Sequence, residues 1–108
     1  MSIDEKLVEE IVRRVLATSR PSRIILFGSA AAGRMNRDSD IDLLVVEPAP
    51  GDTRAESVRI GDALRGMGHP FDVIVMPSER FEETKDVIGG LAYPANKYGK
   101  VIYDHEGA

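Results

Sequence analysis

A chain of 108 residues has room for one hydrophobic core, and 14 basic against 18 acidic side chains leave a net charge of −4. That balance lacks the basic footprint of tight nonspecific DNA or RNA binding, and the absence of cysteine excludes disulfides and thiolate metal sites. Two histidines are too few for a His-rich zinc site, no apolar run reaches the roughly 18 residues of a bilayer span, and the charged N-terminus is unlike a signal peptide.

The expectation is therefore a cytoplasmic, single-domain protein, residues 1–108, without a membrane association. Residues 3–18 read as an amphipathic helix, because Ile3, Leu7, Ile11 and Val15 recur at i, i+4 spacing and Val8, Val12 and Leu16 widen the stripe. Ser2 and Glu5 have capping-box spacing. Arg23–Phe27, "RIILF", is a short strand apolar on both faces. Residues 28–33 are expected to form a short helix or turn, and 34–39 a polar loop. "DIDLLVV", residues 40–46, is the second strand.

A second helix is expected over 52–66, with Ile60, Ala63, Leu64 and Met67 on one side, broken by "GMGHP". "FDVIVM", residues 71–76, is the third strand. Ser78 is placed to cap a helix running to about Ile88, with Phe81, Thr84, Ile88 and Leu91 on one side. Residues 89–99 read as irregular or a broken helix, and 100–104 as a last strand. Alternating helices and strands predict an α/β fold with a largely buried sheet, whose strand order periodicity leaves open. A doubly wound, receiver-like sheet is the structural alternative.

Two aspartates enter the second strand where a stability-only design would place Val or Thr. Side chains alternate along a strand, so Asp40 and Asp42 point the same way, with Cα atoms about 7 Å apart. Asp72 opens the next strand. If the two strands are neighbours, three carboxylates meet on one sheet face. At about 5 Å and an effective dielectric near 20, each like pair costs roughly 3 kcal/mol, which a proton or a cation must offset. Carboxylate oxygens suit Mg²⁺ or Mn²⁺, and two such ions form the clamp that favours in-line displacement at phosphorus. Gly28-Ser29 follows a strand, where backbone N–H groups and the Ser29 hydroxyl can hold an anion. The segment is neither a P-loop nor G-x-G-x-x-G.

The stretch "FGSAAAGRMNRDSDIDLLVV" resembles the signature of the DNA polymerase β-like nucleotidyltransferases: Gly-Ser, ten intervening residues, then Asp-x-Asp between apolar positions, with Asp72 matching the third carboxylate. The chain is most similar in length to the minimal nucleotidyltransferase (MNT) subfamily. The resemblance implies a small mixed sheet flanked by helices. It implies that Asp40 and Asp42 ligate two Mg²⁺ ions, that Asp72 completes the catalytic metal's site and helps activate the acceptor, and that Gly28 and Ser29 bind the phosphates of ATP. Minimal members resemble antitoxins that add AMP to a tyrosine of a HEPN-domain toxin, which would be the partner here. Many of them carry an arginine where this chain has Ala32. Two other functions compete: an antitoxin or adaptor that neutralises its partner by binding alone, and nucleotidyl transfer to a small molecule or tRNA.

Overall fold

The computed structural model describes residues 5–28 and 40–105. The elements, in chain order, are α1 (Glu5–Thr18), β1 (Arg23–Phe27), β2 (Ile41–Glu47), α2 (Thr53–Ala63), β3 (Phe71–Pro77), α3 (Ser78–Thr84), α4 (Ala92–Tyr98) and β4 (Lys100–Asp104). The strands form one sheet in the order β3-β2-β1-β4. β2 and β3 run parallel, joined by the α2 crossover that a parallel pair needs. β1 is antiparallel to both of its neighbours. Among the described residues, this mixed sheet with its four helices is the α/β arrangement expected, and the antiparallel central strand rules out a doubly wound sheet.

Alternation along the buried strands splits the core into two layers. Ile24, Leu26, Ile41, Leu43, Val45 and Val75 face α1 and α2, where they meet Ile11, Val15, Ile60 and Leu64. Ile25, Leu44, Val46 and Met76 face α3 and α4, where they meet Phe81, Ala92 and Ala95. Both faces of β1 and β2 are thus dry, which is why their sequences are continuous apolar runs rather than alternating ones.

Helix ends follow local chemistry. Asp52 caps α2, its carboxylate accepting from the backbone N–H groups of Arg54 and Ala55 at 3.0 and 3.1 Å. α2 stops at Ala63, short of the expected residue 66. α3 also ends early, at Thr84 rather than Ile88. The Thr84 hydroxyl there bonds back to the Arg80 carbonyl at 2.7 Å, a contact that competes with helix continuation. Ile88 consequently lies beyond the helix and is 79% exposed instead of packed. Ser78 is the first residue of α3 and not its cap; its hydroxyl meets that of Ser22 at 3.0 Å. The 89–99 segment, read as irregular or a broken helix, contains α4. The capping-box residue Ser2, the expected turn from Ser29 to Gly33, and the loop 34–39 lie outside the described residues.

Candidate active site

The three aspartates gather at one end of the sheet. Asp42 is the direct register partner of Asp72 across the parallel β2–β3 ladder, and of Phe27 across the antiparallel β1–β2 ladder. Asp42 shares its face with Leu44 and Val46, and Asp72 with Ile74 and Met76, so both project on the α3/α4 side. Asp40 precedes β2 by one residue and has the same parity. The Ile41 N–H donates to the Pro70 carbonyl at 2.9 Å, which ties the start of β2 to the start of β3 and holds the carboxylates in relation.

Burial divides the three. Asp40 and Asp72 are exposed, whereas Asp42 is half-buried. Its carboxyl is pushed above the ordinary aspartate range, first by burial, then by the charges of Asp72 and Asp40. The repulsion anticipated from the sequence is therefore present and focused on Asp42.

Gly28 is the fourth part of the site. It leaves β1 with φ +73°, a conformation that L side chains rarely adopt. A Cβ built there would lie 2.2 Å from Oδ2 of Asp42. The absence of a side chain at residue 28 thus makes room for the Asp42 carboxylate, in addition to any approach to a phosphate. Sequence reasoning did not set Gly28 against a carboxylate; the cross-strand partnership of Phe27 with Asp42, legible only from the register, does. Ser29 and Ala32 lie outside the described residues.

The donors are hard oxygens, in the chemistry that Mg²⁺ or Mn²⁺ prefers. Among the described residues no three acidic, histidine or cysteine side chains close around a single point. One or two carboxylates suffice for a Mg²⁺ ion that takes its other oxygens from water and a substrate's phosphates. The mutual repulsion at Asp42 and the space kept open by Gly28 both fit a divalent cation there, with Asp40, Asp42 and Asp72 as the residues that would hold it.

A second perturbed group lies on the opposite face and at the other end of β2. Glu47 is 5% exposed and hydrogen-bonds to the carboxyl of Glu56 on α2. Burial and this acid–acid contact push Glu47 up to about 7, with Arg59 opposing through its ion pair to Glu56. Among the described residues its Oε2 is buried without a hydrogen-bond partner. Composition and spacing gave no sign of this pair, because Glu47 ends an apolar strand where a solvated acid is ordinary.

A family model described as "Nucleotidyltransferase domain" matches residues 5–92. The chain belongs to the nucleotidyltransferase domain family. Solved structures share the fold of this nucleotidyltransferase. A proposed nucleotidyltransferase of Sulfolobus solfataricus superposes with a TM-score of 0.63 at 23% identity, over 94% of this chain and 80% of that one. A toxin–antitoxin crystallised with AMP-PNP superposes with a TM-score of 0.64 at 21% identity, over 90% of this chain and 73% of that one. No curated protein matches. The matched span contains all four strand-end residues, Gly28, Asp40, Asp42 and Asp72, and these comparisons bear out the resemblance to minimal nucleotidyltransferases.

Proposed function

We propose that this nucleotidyltransferase transfers AMP from ATP to a hydroxyl on a partner protein, with Asp40, Asp42 and Asp72 as its catalytic residues and Gly28 and Ser29 at the nucleotide phosphates. The observation that carries this reading is the Asp42–Asp72 register pair with Gly28 seated against Asp42. Like charges are held together by a rigid ladder at a strand mouth, an arrangement that costs stability and is offset once a cation binds. A bound divalent ion pair would neutralise the triphosphate and polarise the α-phosphoryl group.

In the proposed reaction the acceptor oxygen attacks the α-phosphorus and forms a new P–O bond. The bond from that phosphorus to the bridging oxygen breaks, and pyrophosphate leaves with the electron pair. The hydroxyl proton goes to an aspartate; Asp72, exposed where Asp42 is half-buried, is the better placed to take it and pass it to water. Rigid strands position Asp42 and Asp72, which suits a transfer that depends on orientation and charge.

Support for a toxin as the acceptor comes from the fold shared with a toxin–antitoxin crystallised with AMP-PNP. The reading is that the partner is a HEPN-domain toxin presenting a tyrosine. Incubation of the protein, the partner encoded beside it and α-labelled ATP with Mg²⁺ should label the partner, and Asp40→Asn with Asp42→Asn should abolish the label. Neutralisation that survives in the double variant, with no label in the wild type, would replace transfer by binding alone.

A further inference from the structure

We propose that Tyr98, at the end of α4, stacks on the base of the nucleoside triphosphate and supplies the contact that tells a nucleotide from a bare polyphosphate. This rests on the transfer reading and deepens it, because a carboxylate cluster and a glycine have no binding chemistry for a base.

Register carries Tyr98 to the aspartate end of the sheet. Lys100 is the register partner of Leu26, and the next residue along β1, Phe27, is the partner of Asp42. Gly99 turns α4 into β4 so close to β1 that a Cβ on it would lie 3.0 Å from the Leu26 carbonyl oxygen. Tyr98 is the residue before it. α4 also lies on the face to which Asp42 and Asp72 project, since Ala92 and Ala95 pack with Leu44, Val46 and Met76. Leu91 at the start of this helix, Pro94 and Tyr98 share one flank, at i, i+3 and i+7. Leu91 packs against the same layer, which takes no residue from β4, so that flank is turned towards β2. Neighbouring strands are about 4.8 Å apart, so a helix lying on β1 stands one strand away from Asp42.

The side chain suits the task. Among the described residues Tyr98 is the one aromatic that is exposed, at 69%; the other tyrosines and the phenylalanines are buried or half-buried. It is also braced. The Lys97 ammonium donates to the Tyr93 hydroxyl at 3.2 Å and stands 5.6 Å from the centroids of both the Tyr93 and the Tyr98 rings. Lys97 thus takes one side of the Tyr98 ring by a cation–π contact and leaves the other for a flat partner. A nucleobase is such a partner. It gains from offset stacking beyond the area it buries, and it needs no matching hydrogen-bond pattern to do so. The phosphates at Gly28, where β1 ends, and the base against Tyr98, on the helix over β1, then lie along one line across the aspartates.

The test is isothermal titration of the full chain with AMP-PNP and, separately, with inorganic tripolyphosphate, both with Mg²⁺. Tyr98→Ala, folded by circular dichroism, should weaken AMP-PNP binding about tenfold or more and leave tripolyphosphate binding within about twofold of wild type, and Tyr98→Phe should keep both. The chain has no tryptophan, so Tyr98→Trp adds a single reporter. Its fluorescence should be quenched by AMP-PNP and not by tripolyphosphate. AMP-PNP affinity unchanged by Tyr98→Ala overturns this proposal alone, and so does an equal loss for the two ligands. A wild type that binds neither ligand overturns it together with the transfer reading.

Discussion

Asp42 and Asp72 are direct partners in the β2–β3 ladder, the first half-buried against Gly28 and the second open to solvent. The pairing sets two like charges in a fixed relation that side-chain rotation relieves only in part. It also gives them different surroundings, which is how carboxylates of one site come to do different work. The consequences are measurable in the metal-free protein as well as in the reaction.

Asp42→Asn removes a charge that its neighbours repel. In the metal-free protein it should stabilise the fold by about 1 kcal/mol, a rise of roughly 4–8 °C in the thermal midpoint for a domain of this size. Wild type should gain thermal stability from Mg²⁺ with ATP, and the variant should gain none. Scanning calorimetry with and without Mg²⁺·ATP reads both effects.

Gly28→Ala should do the reverse. The left-handed backbone and the 2.2 Å approach to Asp42 Oδ2 predict a loss of about 1–3 kcal/mol in urea unfolding. The methyl group would also displace the carboxylate, so Mg²⁺·ATP affinity should fall in the molecules that remain folded. Unchanged stability would show that residue 28 has more room than the structure gives it.

Gly99→Ala separates packing from chemistry. A Cβ there would stand 2.3 Å from the Ala95 carbonyl and 2.6 Å from Cγ2 of Ile25, where α4 turns into β4. Overpacking of this kind should cost about 2–3 kcal/mol. Mg²⁺·ATP binding per folded molecule should be unchanged, as judged by isothermal titration at a temperature where both proteins are folded.

The Glu47–Glu56 pair predicts a pH dependence of stability. Glu47 is raised in the folded state, from about 4.5 to about 7, so the folded chain holds a proton that the unfolded chain releases. Stability from this group is therefore greatest below pH 4.5, falls as pH rises towards 7, and stays low above it. Glu47→Gln removes the charged form. It should stabilise the protein more at pH 8 than at pH 5, by about 2–3 kcal/mol in the difference between urea-unfolding series. Equal effects at the two pH values would mean that the pair is already open to water.

The legible parts of the fold were those fixed by local pattern. "RIILF" and "KVIYD" are strands over the residues expected, because apolar runs bounded by breakers leave little choice. The α3 end was misplaced because Ile88 continues the helical spacing, whereas Thr84 and the glycines that follow favour a stop. The aspartates were visible as misfits at strand mouths. What the sequence could not supply was the neighbour relation of β2 and β3, which is tertiary, and with it the pairing of Asp42 with Asp72. The Gly28 contact with Asp42 was hidden for the same reason. It depends on antiparallel register across β1, not on spacing along the chain.

In the proposed reaction the aspartates hold a divalent cation together with a nucleoside triphosphate. Mn²⁺ titration followed by electron paramagnetic resonance, with a non-hydrolysable ATP analogue present, tests it most directly. Wild type should capture Mn²⁺ with the nucleotide, and Asp42→Asn and Asp72→Asn, both folded by circular dichroism, should lose that capture. Mn²⁺ that remains free with wild type, or binds Asp42→Asn as well as wild type, would contradict it.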